Sequence, residues 1–264
     1  MNLLKEILEI NKIEISDNPI INYLNYWDFG NNQYPTLEKE WGDLTDSEQE
    51  EQKERQDNWR ADNELDVKWL KSQNADTIFS CWMPLKMVVQ SLCYTYSGLS
   101  YYPFKCNKYR DKKSGRNIDF LNWISEQISN GTFEEKNPSL YKVLIDFFEL
   151  ASSRANVMEL PNREMQKRSE WYDQMPKFLN ECFKGGEFCK FFKNDEELKS
   201  WIKSQNLDMF FENDSLTKDN IIPLISRMKS SEFEWLSSEE ELLEMIKNYN
   251  RILEERAARY ISEN

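Results

Sequence analysis

Histidine is missing altogether from the 264 residues. Without an imidazole the chain cannot run Ser-His-Asp or Cys-His nucleophilic catalysis, bind a metal through ring nitrogens, or shuttle protons through a group that titrates near neutrality. Glycine is scarce too, at seven residues. That leaves little material for loops that cradle phosphate, and no Walker-type loop, dinucleotide fingerprint or Gly-x-Ser-x-Gly turn is present. No apolar run reaches the length of about 18 residues that a membrane-spanning helix needs. The opening Met1-Asn2-Leu3-Leu4-Lys5-Glu6 reads as an amphipathic, acid-bearing helix rather than a signal peptide. Cytoplasm is therefore the expected compartment, with no membrane contact. The five cysteines (Cys81, Cys93, Cys106, Cys182 and Cys189) form an odd set that matches no zinc spacing. They read as reduced core thiols, and no cofactor is indicated.

What the chain does have is aromatic side chains: 9 Trp, 12 Tyr and 15 Phe in a sequence only 39% hydrophobic. Each buries about 150–250 Å², so a real core can form despite the low apolar share. The formal net charge of −13 repels nucleic acid and anionic membranes at long range unless positive charge is segregated.

Helix punctuation is frequent. Thr45-Asp46-Ser47-Glu48 is a capping box opening a polar helix to about Gln73. Asn137-Pro138 places proline in the first turn of a segment running to Leu150, whose Leu140, Val143, Leu144, Phe147 and Phe148 recur at helical spacing. Pro161 starts a helix that Pro176 should kink or break, and Gly185-Gly186 ends its continuation. Asn194-Asp195 caps a helix to Asn206, and Ser237-Ser238 opens a long one to about Ser262, with Arg251, Arg256 and Arg259 suiting the negative helix end. The aromatic, glycine-punctuated stretch 94–104 alone suggests strand. The expected fold is mainly α, an irregular multi-helix bundle with at most one short β-hairpin near 94–104, in one domain spanning 1–264.

Within it lies a near-repeat. Trp69-Leu-Lys-Ser-Gln-Asn-Ala-Asp-Thr-Ile-Phe79 and Trp201-Ile-Lys-Ser-Gln-Asn-Leu-Asp-Met-Phe-Phe211 agree at seven of eleven positions, 132 residues apart. This offset suggests two similar halves, 1–132 and 133–264. Each copy reads as a helix with a buried Trp, ending near Asn74 or Asn206, after which Asp76 or Asp208 caps the next helix.

Three constellations bear on function. Tyr101 and Tyr102 precede a run in which Lys105, Lys108, Arg110, Lys112, Lys113 and Arg116 are opposed only by Asp111. Aromatic faces stack on bases while cations track phosphates, so this segment is the candidate for binding RNA or single-stranded DNA, or another anion. Its plainer reading is a solvated loop that pairs with acids of the same protein. Of opposite sign, residues 38–66 hold twelve acids against four bases, and residues 232–244 hold six acids and no base. Such faces can imitate a phosphate backbone, although most are simply the wet sides of helices. Trp41, Trp59 and Trp171 lie in polar company and are the candidate aromatic anchors of a protein interface, whereas Trp69, Trp82, Trp123 and Trp201 belong to the core. Glu134-Glu135-Lys136 and Glu197-Leu198-Lys199 have a spacing found in metal-dependent nucleases, but they sit on polar helical surface without a strand-borne aspartate.

Thr77-Ile78-Phe79-Ser80-Cys81-Trp82, the stretch from Thr95 to Pro103, and Pro138 to Leu144 followed by Asp146-Phe147-Phe148 together resemble an uncharacterised bacterial protein family. That family has the same order of a Trp-bearing helix, a glycine-containing strand-like segment ending in proline, and an apolar Asp-Phe-Phe helix. The chain lacks the family's paired glycines at Gly98, and the resemblance implies no activity and no functional residue. The Asn, Lys, Ile and Glu bias resembles that of a gene from an AT-rich bacterium or one of its phages. The function these features suggest is a non-catalytic interaction protein whose acidic helical faces and aromatic anchors engage a protein partner. A basic nucleic-acid enzyme would be such a partner, as for a phage or mobile-element inhibitor of a host defence nuclease. The alternatives are nucleic-acid binding through 101–116 and a metal-dependent hydrolase built from carboxylates alone.

Overall fold

The computed structural model describes residues 2–10, 12–33, 44–51, 54, 75–79, 120–162, 165, 175–183, 185–231 and 238–262. Over these the protein is mainly helical. The principal elements are α1 (Leu3–Ile10), α2 (Pro19–Gln33), β1 (Ala75–Thr77), α3 (Phe120–Ser129), α4 (Thr132–Lys136), α5 (Pro138–Ala151), β2 (Val157–Glu159), α6 (Met175–Cys182), α7 (Asp195–Ser204) and α8 (Glu239–Ser262), joined in the second half by short 3-10 turns. None of the helices in the described residues is long and apolar enough to cross a membrane.

The centre of the core is the packing of α5 against α8 and α2. Pro138 occupies the first turn of α5, where its missing N–H costs nothing. The 3.6-residue period then puts Leu140, Leu144, Phe147, Phe148 and Ala151 on one buried face. In α8 the same rule buries Leu242, Met245, Ile246, Tyr249, Ile252 and Leu253. Aromatic rings lock the layers together. Phe148 meets Tyr23 of α2 at 5.2 Å between centroids, Phe147 meets Tyr249 at 5.7 Å, and Phe79 stacks on Tyr249 at 3.9 Å. Fully burying each such side chain contributes about 1.5–3 kcal/mol.

Helix starts follow the expected chemistry. At the Thr45 box, Glu48 Oε2 accepts from the Thr45 N–H at 2.8 Å, and the Glu48 N–H reaches back to Thr45 Oγ1 at 3.4 Å. Asn194 Oδ1 accepts from Glu197 N–H at 2.9 Å to start α7, while Glu197 Oε2 accepts from the Lys193 N–H. Ser238 Oγ accepts from Glu241 N–H at 3.3 Å at the head of α8. Cys182 is buried, Cys189 half-buried, and neither is in a disulfide. Cys81, Cys93 and Cys106 lie outside the described residues.

Among the described residues one two-stranded sheet is found, in which β1 and β2 run antiparallel with Ala75 opposite Glu159 and Thr77 opposite Val157. The segment 94–104 lies outside the described residues. One expectation is corrected at Pro161, which sits in a bend and not at a helix start; Pro176 occupies the first turn of α6, where a proline is tolerated, and residues 166–174 before it lie outside the described residues. Neither aspartate of the near-repeat caps a helix. Asp76 lies in β1, and the 3-10 turn Asp208–Phe210 is preceded by Leu207 with no side-chain cap. Trp201 is half-buried at the edge of the core, its indole N–H donating to Glu159 O at 2.8 Å.

The two near-repeated segments meet at β2. One edge of that strand pairs with Ala75–Thr77. At the other, Glu159 has its carbonyl taken by Trp201 and its N–H taken by Gln205 Oε1 at 2.7 Å. Two side chains thus finish an edge that would otherwise present unpaired backbone groups. Asn156, just before β2, grips the end of the first segment. Its Oδ1 accepts from Phe79 N–H and its Nδ2 donates to Phe79 O, both at 2.8 Å, and its own carbonyl accepts from Ile78 N–H at 2.7 Å.

Candidate functional site

Where α7 ends, Asn206 takes a left-handed conformation (φ 51°) and turns the chain into the 3-10 turn Asp208–Phe210. Phe211 then bridges Ile221, and Ile222 N–H donates to Phe210 O at 2.8 Å. Between them the chain reverses through Asn213, again left-handed at φ 55°. This closed loop brings Ile222-Pro223-Leu224 alongside α8 and leaves a groove of roughly 300 Å³ between them. Its apolar wall is Met209, Ile222, Pro223, Leu224 and, from α8, Ile252.

The polar side of the groove comes from one face of α8: Glu244, Asn248 and Arg251, at spacings of four and three residues. Two of them are fixed by the loop opposite. Glu244 Oε1 accepts from Ser226 N–H at 2.8 Å, and Asn248 Nδ2 donates to Leu224 O at 2.9 Å. Arg251 extends into solvent and holds Glu255 at 2.8 Å through Nη1. An acid, an amide and a guanidinium therefore line the groove over two helical turns, each with one group engaged by the protein.

Beyond the groove the dominant charged group is Arg256, fully buried one helical turn further along α8. Its guanidinium donates to Ala155 O and Val157 O at 2.6 Å, to Asn206 O at 3.0 Å and to Gln205 O, and it also reaches the Tyr260 hydroxyl at 3.2 Å. Burial pulls its pKa down to about 10, opposed by Tyr260 and Asp208, so it remains charged at neutral pH. Arg259 beside it pairs with Asp208 through both carboxylate oxygens, at 2.7 and 2.9 Å. These two arginines are tertiary anchors, and their fit to the negative end of α8 is secondary.

The acidic run at the start of α8 is partly consumed within the molecule. Glu241 forms a two-pronged pair with Arg227, and Glu244 is tied to Ser226. Glu240 stays in solvent, its carboxyl held below the usual range by its own backbone N–H and by Ser238. On α4 and α5, Glu134, Glu135, Asp146 and Glu149 are exposed. Among the described residues no three Cys, Asp or Glu side chains are placed to share a metal ion. Glu197 serves the cap of α7 and Lys199 pairs with Glu196 at 3.0 Å, so that Glu-x-Lys spacing has a structural use.

The nucleic-acid candidates Tyr101, Tyr102, Lys105, Lys108, Arg110, Lys112, Lys113 and Arg116 lie outside the described residues, as do the interface candidates Trp41, Trp59 and Trp171. The groove is formed by none of them. Sequence reasoning missed both halves: helical spacing places Glu244, Asn248 and Arg251 on one face, a signal that went unused when Arg251 was assigned to the helix end, and the wall opposite depends on a chain reversal with no periodic signal. No family model, no curated protein and no solved structure matches the chain.

Proposed function

We propose that this is a non-catalytic interaction protein whose acidic helical faces engage a basic protein partner. The observation that supports this most directly is the exposed run Glu134, Glu135, Asp146 and Glu149 on consecutive helices, set against Lys136 and Lys142, in a chain of net charge −13. Such a face attracts a cationic surface and accelerates encounter with it. An inhibitor that occupies the phosphate-binding groove of a host nuclease, carried by a phage or mobile element, would use this physics.

The test is a pull-down from host lysate with the full chain and with a variant carrying Glu134→Lys, Glu135→Lys, Asp146→Lys and Glu149→Lys. The expected result is one stoichiometric basic protein retained by the wild type at low salt, weakened at moderate salt and lost with the variant. Recovery of no stoichiometric partner under either salt condition removes the proposal.

A further inference from the structure

The groove beside α8 goes beyond this reading, because its two walls are chemically different. A face of Met209, Ile222, Pro223, Leu224 and Ile252 opposes a row of Glu244, Asn248 and Arg251. Along the helix axis Glu244 and Arg251 are seven residues apart, about 10.5 Å at 1.5 Å per residue. Three extended peptide residues span about the same length, at 3.3–3.6 Å each. We infer that this groove binds a free, extended peptide of about three residues, with its ammonium at Glu244, its carboxylate at Arg251 and an apolar side chain against the Ile222-Pro223-Leu224 wall.

The engaged groups explain why the row is ready for a ligand. Ser226 N–H holds Glu244 through Oε1, which leaves Oε2 to accept from an ammonium. Leu224 O holds Asn248 through Nδ2, which orients Oδ1 to accept a peptide N–H midway along the row. Arg251 spends Nη1 on Glu255, an exchangeable surface pair, and presents Nε and Nη2 to a carboxylate. Side chains fixed in advance lose less freedom on binding, and the volume of roughly 300 Å³ lies at the lower end for small-ligand sites. Opposite charges at the two ends also set the direction of the peptide.

Calorimetry with Ala-Leu-Ala, its N-acetyl form and its C-terminal amide, on the full wild-type chain and on Arg251→Gln, tests this. Saturable binding of Ala-Leu-Ala to the wild type is expected, weakened about tenfold or more by amidation, the loss of a charge-assisted contact. Arg251→Gln should weaken the free peptide to a similar level and leave the amide unchanged, and Glu244→Gln should do the same for N-acetylation. The proposal is overturned if Ala-Leu-Ala shows no saturation at millimolar concentration. It is equally overturned if the capped peptides bind as tightly as the free one, as they would in a site for an internal segment of a protein. Should either variant fail to fold, the comparison of free and capped peptides on the wild type decides alone.

Discussion

Ala75–Phe79 and Leu207–Phe211 are the corresponding ends of two segments with much the same sequence, and they do not share a structure. The first forms strand β1 and a bend; the second forms a 3-10 turn that leads into a bridge. The shared aspartate shows the reason. Asp76 is buried, with Oδ1 accepting from the Thr77 N–H, whereas Asp208 is partly exposed and paired with Arg259. Local sequence offers both segments a polar turn, and neighbours decide which turn is made. Asn156 supplies backbone partners that draw Ile78 and Phe79 toward β2, while Arg256 and Arg259 supply the donors that hold Gln205, Asn206 and Asp208. β2 lies between them and is bonded to both.

Breaking the second anchor should have the largest effect. Arg256→Met leaves the carbonyls of Ala155, Val157, Gln205 and Asn206 without their buried donor. A loss of at least about 3 kcal/mol is expected in urea unfolding, because buried polar groups stripped of a charged partner are costly. Removing the first anchor comes next. Asn156→Ala orphans the N–H and carbonyl of Phe79 and should cost about 2–3 kcal/mol, with faster amide exchange at Phe79 and little change at Gln205 and Asn206. If exchange at both segments rose equally, the two anchors would not be separate. The smallest effect is expected for Asp208→Asn, about 1 kcal/mol in the same unfolding measurement, because the Arg259 side chain is 40% and that of Asp208 21% exposed, so solvent screens the pair.

The contrast also explains what could be read in advance. Helix starts at Thr45, Pro138, Asn194 and Ser238 were legible because capping is a local affair between residues three apart. So was the buried face of α5, set by a period of 3.6. The strand pair was not, because three-residue strands some eighty positions apart carry no alternation long enough to see. Arg256 misled for a related reason: near a helix end a cation has a sufficient local explanation, and nothing in the sequence marks four distant carbonyls waiting for it. For the groove, the α8 row carried only a spacing signal that was not singled out, and the Ile222-Pro223-Leu224 wall carried none, because Asn213 and Asn206 turn the chain with conformations that a sequence only permits.

Arg256 carries a further consequence for how the protein is made. The carbonyls it satisfies belong to residues 155–157 and 205–206, which leave the ribosome well before the guanidinium does. Until then water must serve in its place, and the interior around β2 stays open to solvent. The centre of the molecule therefore dries only once α8 has been made and docked, and a chain truncated anywhere in α8 upstream of this residue should be one that chaperones or proteases hold on to.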